Sequence, residues 1–429
     1  MKKIKTYFFK IALSILTGIG CALFAFFIKY CTEFTEEHFF SWLIQSEHRY
    51  LLFVFPVVGL LLVWLFSTVI FKAPLRGIVE VLDAARSTSS KVSPKRIFAH
   101  YLGGFFTVAM GGSTGIEVST VVSGAAIGSS TANEFLQSDK FTRYLLIAGG
   151  AAGISALFNS PLGGLFFAFE VLAVSFSIEL LAFVLLAIIS ASYISFLFGA
   201  TPFVPSFNHS WKLHALPFFV GLSVVAAFLS AYLTRSVVMT KYFFQKRMNG
   251  VTGVIIGGVI VGLAVFFLHP LFGEGYATIK NLLSGNIGNV FQGTSEHNAS
   301  VYLMMLLALV ILKPLITSLT LASGGDGGVF APSLFIGAVL GFLFSSALNQ
   351  WVGADLITMN FVIVGMAALL GATIHAPLTA IFLVVSLTHS FDLIVPLTIT
   401  SFLSYYFSKK ILPYTVYSYG RKKEPLLPA

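Results

Sequence analysis

Charged side chains are scarce in this chain, and their scarcity excludes an ordinary soluble domain. Only 10% of the 429 residues are Asp, Glu, Lys or Arg, whereas about 25% is usual in soluble proteins. Cys21 and Cys31 are the only cysteines, so we expect neither a disulfide framework nor a cysteine-based metal site. The sequence also has no HExxH, CxxC or Walker motif. We therefore expect no metal, no cofactor and no ATP-driven pump.

Long apolar runs make up much of the chain instead. Hydrophobic residues account for 57% of the sequence, and the mean hydropathy is +0.90. A bilayer-spanning helix needs about 20 predominantly apolar residues. Clear runs of this kind are Phe8–Ile28, Leu51–Ile70, Leu180–Phe198, Leu216–Leu233, Val251–Leu268 and Val301–Leu321. The first run is longer than the core of a signal peptide and lacks a small-residue cleavage site after it. The pattern predicts an all-α polytopic membrane protein.

The net charge of +9 lies at the ends of the chain and between the apolar runs. Basic residues cluster near Lys2 and within Arg86–Arg96, Arg235–Arg247 and Lys409–Lys423. The positive-inside rule assigns such segments to the cytoplasm. We therefore expect both termini inside an inner or plasma membrane, with the acidic Glu33–Glu47 segment on the opposite face. Because the charge is explained by membrane orientation, no nucleic-acid partner is expected.

A lone carboxylate lies in a glycine-rich break between apolar segments. The break reads Gly111-Gly112-Ser113-Thr114-Gly115-Ile116-Glu117-Val118-Ser119. A charge at membrane depth costs about 2.5–3.5 kcal/mol on insertion scales, so such residues are usually functional. Glycines let backbone N–H groups face inward at a helix start, where anions bind. We expect Glu117 to lie in an anion site. The alternative is that these glycines only allow close helix packing.

The two halves of the chain resemble each other. Pro161-Leu162 in the first half and Pro377-Leu378 in the second each follow a segment rich in glycine and alanine. Earlier in each half, Gly115 matches Gly328. The distance along the sequence between these two glycines is nearly the same as that between Pro161 and Pro377. Paired segments interrupted by glycine and proline predict an inverted repeat with broken, tilted helices. In such transporters, half-helix starts point at an anionic substrate.

These observations divide the chain into five parts. We expect an N-terminal segment with the first membrane helix over 1–50, a first membrane repeat over 51–234, a basic cytoplasmic linker over 235–250, a second membrane repeat over 251–410 and a short C-terminal segment over 411–429. The repeat makes Phe330 the counterpart of Glu117. Asp326 lies just before the second-half motif, where we expect it to cap a helix start.

The motifs of both halves resemble those of the CLC family of chloride channels and chloride/proton antiporters. Gly328-Val329-Phe330-Ala331-Pro332 matches the family motif G-x-F-x-P, and Gly115–Ser119 lies where the family has G-R/K-E-G-P. The resemblance covers about Leu51 to Tyr414. It implies a CLC-type inverted repeat, a homodimer with one pore per subunit, and transport of chloride or a similar small anion across the lipid bilayer. We expect a divergent bacterial-type member without the cytoplasmic CBS tail of many relatives.

The resemblance also implies roles for individual residues. Glu117 would be the gating, proton-linked carboxylate that competes with the anion. The anion sites would be shaped by Gly115, Ile116, Val118, Gly328, Val329, Phe330 and Tyr414. Tyr414 would donate its phenol hydrogen to the inner anion. Arg76 stands where the family has a serine at the anion entrance. Its guanidinium would either strengthen anion binding or simply face the cytoplasm.

Departures from the family motifs leave the ion and the coupling open. Val171 stands where the antiporters have an internal proton-transfer glutamate and the channels have an apolar residue. Val118 and Ser119 replace glycine and proline beside the gate, and a β-branched residue restricts the conformations there. The sequence favours channel-like transport or atypical proton coupling. The alternative is a proton-coupled exchanger for fluoride, nitrate or bicarbonate.

A different class of function is suggested by Gly111–Gly115, which also fits the nucleophile-elbow motif G-x-S-x-G around Ser113. An intramembrane serine hydrolase of this kind would need a strand before the serine and a histidine as base. The sequence has no parallel-strand pattern and marks no histidine as the partner. We therefore expect that the protein is not an enzyme.

Overall fold

The computed structural model is all-α over the residues it describes, which are 2–40, 43, 48, 50–73, 75–87, 90–135, 138–172, 175–199, 210–248, 250–285, 287–291 and 299–419. Sixteen α-helices lie within these ranges. The first eight are α1 (Lys2–Phe34), α2 (Leu51–Trp64), α3 (Ile78–Arg86), α4 (Lys95–Ala109), α5 (Glu117–Phe135), α6 (Asp139–Phe158), α7 (Pro161–Phe167) and α8 (Ile178–Leu197). The next eight are α9 (Leu216–Arg247), α10 (Gly250–Phe267), α11 (Tyr276–Leu283), α12 (Ala299–Ala322), α13 (Phe330–Val352), α14 (Thr358–Ile374), α15 (Pro377–Thr388) and α16 (Ile394–Ile411).

The described helices form two series in the same order, α1–α8 and α9–α16. Glu117 and Phe330 open α5 and α13, and Pro161 and Pro377 open α7 and α15. The residues that the sequence repeat equates therefore begin equivalent helices. Short helices such as α3, α7 and α11 interrupt the long ones. The predicted inverted repeat with broken, tilted helices is confirmed.

Eight of the described helices are long and apolar enough to cross a bilayer. Six of them coincide with the apolar runs predicted from sequence, and the other two are α6 and α13. Both are rich in small residues, and α6 is buried along nearly all of its length. Because its side chains pack against other helices rather than lipid, α6 needs small residues more than strongly apolar ones.

Helix α9 crosses one boundary of the predicted division of the chain. The predicted basic linker over 235–250 begins as helix, because α9 runs unbroken to Arg247. Lysine and arginine are good helix formers, and Lys246 and Arg247 complement the negative end of the helix dipole. The basic residues therefore prolong α9 instead of ending it. Helix α1, predicted to precede the first repeat, opens the first series. Residues 420–429 of the predicted C-terminal segment lie outside the described residues.

Glycine pairs bring helix backbones into contact at equivalent places in the two halves. Gly124 of α5 meets Gly149 of α6, and Gly337 of α13 meets Gly365 of α14. A Cβ atom on any of the four would overlap the carbonyl oxygen of its partner. This is small-residue packing of the kind found between membrane helices. These four glycines therefore serve close packing, and those in the break before α5 need another explanation.

Candidate functional site

The loops before α5 and α13 meet face to face. The N–H of Gly115 donates to the carbonyl of Gly328 at 3.4 Å, and the N–H of Gly328 donates to the carbonyl of Gly115 at 3.2 Å. The hydroxyl of Thr114 also donates to the Gly328 carbonyl, at 2.8 Å. Two residues equated by the sequence repeat are therefore directly paired. The pairing brings the starts of α5 and α13, each with a partial positive charge, to the same place.

Glu117 is the first residue of α5, and its side chain is completely buried. Its Oε1 accepts a hydrogen bond from the hydroxyl of Tyr276 at 2.8 Å. Its carboxylate also faces its own backbone N–H and that of Ala331, in the first turn of α13. A Cβ atom on Gly115 would overlap Oε2 of Glu117 and lie 2.8 Å from the Cβ of Ala331. Glycine at 115 thus leaves room for the carboxylate at the two helix starts, where an external anion would also fit.

A third helix start approaches from the other side of Val118. Gly77 precedes α3 with φ 59° and ψ −151°, a conformation that essentially only glycine adopts without strain. A Cβ atom on Gly77 would lie 3.3 Å from one methyl of Val118, and one on Gly328 would overlap the other methyl. Val118 is thus wedged between the starts of α3 and α13. One of its methyl groups lies against the start of α3 and the other against the start of α13.

The tyrosine that reaches this site is Tyr417 rather than the predicted Tyr414. Tyr417 is buried, and its ring centroid lies 6.4 Å from that of Phe330. Its hydroxyl faces the backbone N–H of Val329 and would lie 3.3 Å from a Cβ on Gly328. The half-buried Tyr414 instead packs its ring on Tyr419, with centroids 5.1 Å apart.

The shift from Tyr414 to Tyr417 comes from a turn that follows α16. The backbone N–H of Thr415 donates to the hydroxyl of Ser418 at 2.9 Å, and the N–H of Ser418 donates to the hydroxyl of Thr415 at 3.2 Å. These bonds curl the chain and direct Tyr417 inward. Motif spacing alone does not reveal such a turn, because it depends on local side-chain-to-backbone bonds.

Arg76 lies at the surface of the structure. Its side chain is 55% exposed, and its guanidinium forms a 2.9 Å ion pair with Asp83. Glu80 on the same short helix pairs with Arg96 at 2.7 Å. Of the two interpretations that the sequence left open, this geometry favours the solvent-facing one for Arg76.

Two acidic residues hold helices together in ways that the sequence did not predict. Asp326 does not cap α13. Its carboxylate accepts hydrogen bonds from Nδ1 of His100, at 2.8 and 2.9 Å, and from the hydroxyl of Ser119, at 2.9 Å. Beside Val171 in the π-turn that follows α7, Glu170 accepts the N–H groups of Leu378 and Thr379 at 3.1 and 2.8 Å. Asp326 thus joins α4 to α5, and Glu170 joins α7 to the start of α15.

Sequence reasoning missed a second buried carboxylate at the site. Oε1 of Glu274 accepts the backbone N–H of Ile116 at 2.9 Å, and Ile116 is one of the residues predicted to shape the anion site. The buried ammonium of Lys313 donates to the carbonyls of Leu271 and Gly273, at 3.1 and 2.9 Å. A signal was present in the sequence, because Gly273-Glu274-Gly275 is also a lone acid between glycines and Lys313 is a lone cation within an apolar run.

The structure therefore brings together seven of the predicted site residues, which are Gly115, Ile116, Glu117, Val118, Gly328, Val329 and Phe330. It adds Glu274, Tyr276 and Tyr417 to them. Three helix starts, two buried carboxylates and the phenols of Tyr276 and Tyr417 form an enclosed polar centre. Such a centre can hold a small anion, or a carboxylate in its place.

Known proteins resemble this chain in sequence and in fold. The family model of the voltage gated chloride channels matches residues 58–409. The H(+)/Cl(-) exchange transporter ClcA of Vibrio cholerae is 28% identical over 442 aligned residues, which cover 97% of this chain and 90% of the relative. The structure of a slow cyanobacterial Cl-/H+ antiporter matches with a TM-score of 0.80 at 20% identity, and that of a CLC-type fluoride/proton antiporter with 0.76 at 24%. Each of these two comparisons covers 95% of both chains. With its family motifs meeting at one buried centre and the family model spanning most of its length, the chain belongs to the voltage gated chloride channel family, the CLC family.

Proposed function

We propose that this integral membrane protein moves chloride or a similar small anion across the membrane through a pore gated by Glu117. The observation that carries the proposal is the position of the Glu117 carboxylate. It is completely buried at the start of α5, and it faces the backbone N–H of Ala331 in the first turn of α13. Relatives named as chloride/proton or fluoride/proton antiporters agree with a small anion as substrate.

The gate works by competition between two negative charges. Each helix start carries about half a positive charge, which attracts an anion without holding it tightly. The ionised carboxylate of Glu117 fills that site and excludes the transported ion. Protonation removes its charge, the side chain leaves, and the anion takes its place. Transport requires that the bound ion can also leave, and dipoles of partial charge allow this better than a fixed cation would.

Tyr417 supplies a hydrogen-bond donor for the anion, on the side of Val118 away from Glu117. Its buried hydroxyl has no hydrogen-bond partner among the described residues and faces Val329 and Gly328. A phenol is a good donor to an anion. We propose that an anion passing Val118 accepts this hydrogen bond, and that Tyr417 takes the role that the resemblance gave to Tyr414.

Replacing Tyr417 with Phe should weaken anion binding about tenfold or more, because a hydrogen bond to a charged partner contributes about 1.5–3 kcal/mol. Calorimetric titration of the detergent-purified protein with chloride measures the affinity. Tyr414→Phe is the matched control, since it removes the same hydroxyl from the neighbouring tyrosine and should leave the affinity unchanged. A loss in Tyr414→Phe with wild-type affinity in Tyr417→Phe would return the role to Tyr414.

Coupling to protons is the second part of the proposal. The residue at 171 is valine, and the neighbouring Glu170 is held by the start of α15. We therefore expect channel-like transport or atypical coupling. Purified protein in liposomes should pass chloride while an imposed chloride gradient drives little or no proton movement against the proton gradient. Strong uphill proton movement would establish an exchanger instead. Repeating the measurement with fluoride, nitrate and bicarbonate decides which anion is preferred.

A serine hydrolase receives no support from the geometry around Ser113. Its side chain is completely buried, and within the described residues its hydroxyl has no hydrogen-bond partner. A nucleophilic serine needs an adjacent base to activate it. Its backbone N–H donates to the hydroxyl of Thr320 at 3.1 Å, which assigns Ser113 to the loop structure.

We propose that two copies assemble into a homodimer with one pore each and that both termini face the cytoplasm. The family resemblance supports the dimer, and the basic ends of α1 and α9 support the orientation. The predicted linker between the repeats would then lie on the cytoplasmic face.

A further inference from the structure

Glu274 lies beside the start of α5, the helix that carries Glu117, but belongs to a different segment of the chain. The N–H that it accepts, at 2.9 Å, belongs to Ile116, the residue just before Glu117. Close after Glu274 in the chain, the hydroxyl of Tyr276 donates to Glu117 at 2.8 Å. The other carboxylate oxygen of Glu117 is buried and has no hydrogen-bond partner among the described residues. One short segment thus holds both the gate and the residue that precedes it.

A small, partly open cavity lies beside this segment. Its lining includes Ile116, Glu274 and Tyr276 together with Lys29 and Glu33 of α1. Its volume is about 20 Å³, which is enough for one water molecule. Glu274 is only 3% exposed, whereas the side chains of Lys29 and Glu33 are 36% and 42% exposed. The mouth lies near the end of α1, on the face opposite the N-terminus.

Several charged groups surround Glu274. Helix α1 and the turn after it present Lys29, Glu33 and Glu36, α5 presents Glu117, and α12 presents Lys313. A Cβ atom on Gly273 would overlap Oε1 of Glu36, so that carboxylate packs against the backbone next to Glu274. Neighbouring carboxylates repel one another when all are ionised, so each can take up a proton. A proton that enters the cavity therefore has more than one acceptor, and Glu274 is the one bonded to the start of α5.

We propose that Glu274 carries protons between this cavity and Glu117. A proton from cavity water binds the Glu274 carboxylate. Glu274 then releases it through the water to the oxygen of Tyr276, while Tyr276 gives its own hydroxyl proton to Glu117. One proton is transferred, Tyr276 ends neutral, and Glu274 is again ionised and ready for the next proton. The inference rests on the proposed gating role of Glu117 and applies to a channel and an exchanger alike.

The test is the response of anion flux to pH on the cavity side. Full-length protein inserted in one orientation into a planar bilayer allows the pH to be changed on each face separately. Glu274→Gln keeps an oxygen that can accept the N–H of Ile116, but it cannot carry a proton. Positioned proton-transfer groups contribute about 10²–10⁴-fold to transfer rates. We expect this variant to respond at least about tenfold more slowly than the wild type to acidification on the cavity side.

Two further variants separate proton transfer from structure. Tyr276→Phe preserves the bond between Glu274 and Ile116 and removes the relay hydroxyl, so the same slow response is expected even if Glu274→Gln does not fold. Glu170→Gln is the matched control, because Glu170 is another inward carboxylate that accepts backbone N–H groups, and its response should equal that of the wild type.

The outcomes distinguish this inference from the proposed function. A wild-type response in both Glu274→Gln and Tyr276→Phe would overturn the relay and leave the gate intact. If the wild-type protein passed no anion, the proposed function would be overturned and the relay with it. The same would follow if the Glu117→Gln variant kept the pH response of the wild type.

Discussion

Glu117→Gln protein should carry anions at every pH at the rate that the wild type reaches only in acid. Glutamine has nearly the shape of glutamic acid, so it mimics the protonated gate permanently. Its amide can still accept the hydrogen bond from Tyr276, which is 2.8 Å long in the wild type, so the site should stay intact. What is lost is the negative charge that competes with the anion at the starts of α5 and α13.

Removal of that charge should also tighten anion binding. An interaction between a charge and a helix start contributes about 0.3–1 kcal/mol at the surface and up to about 2 kcal/mol when partly buried. A gain of about 1–2 kcal/mol corresponds to a factor of about 5–30 in affinity. Chloride titration of the purified variant measures the affinity, and flux from liposomes at several pH values measures the gate.

A surface substitution separates the gate from a general effect of charge. Glu179 pairs with Lys140 at the start of α8, 2.6 Å away, with 38% of its side chain exposed. Glu179→Gln removes the same charge, and we expect flux and pH response close to those of the wild type. If Glu117→Gln also behaved like the wild type, Glu117 would be a structural carboxylate and the central assignment would fail.

The sequence alone predicts a feature of the structure where the backbone or the environment requires a particular type of residue. Glycine at 115 and 328 is needed because the two loops pair directly and a side chain would collide with its neighbours. The lone carboxylate of Glu117 stands out because a buried charge is costly. The repeat is visible in the sequence for the same reason, because two halves with the same fold need glycine at equivalent positions. These features predicted the fold and seven of the residues that the structure brings together.

The rest of the site depends on tertiary contacts that spacing does not record. Tyr417 reaches the site only because a turn at Thr415 rotates the chain. Asp326 binds His100 and Ser119, which lie in the other half of the chain. Glu274 was visible as an acid between glycines, but its partner Ile116 is equally remote in the sequence. Contacts between residues that are far apart in the chain depend on how the helices pack. A single sequence does not reveal that packing.

Gly128→Ala and Gly341→Ala should each destabilise the protein severely, and to a similar extent. A Cβ atom on Gly128 of α5 would overlap the carbonyl oxygen of Leu145 on α6, and one on Gly341 of α13 would overlap that of Phe361 on α14. Neither oxygen can swing aside, because both belong to helix backbones. Overpacking usually costs about 1–3 kcal/mol, and we expect at least about 3 kcal/mol when two backbones must separate. That is a large share of a typical folding free energy of about 5–15 kcal/mol.

Gly20→Ala provides the control for the intrinsic effect of alanine in a membrane helix. A Cβ atom on Gly20 of α1 would meet the side chain of Ile127 at 3.5 Å, an ordinary contact. Thermal unfolding followed by size-exclusion chromatography in detergent should show Gly20→Ala melting near the wild type and both other variants melting far below it.

Gly128 and Gly341 are equivalent positions, because their separation in the sequence equals that of the paired glycines before α5 and α13. A large loss in one variant alone would mean that the two helix pairs do not pack alike, and the symmetric convergence of α5 and α13 on Glu117 would lose its structural basis.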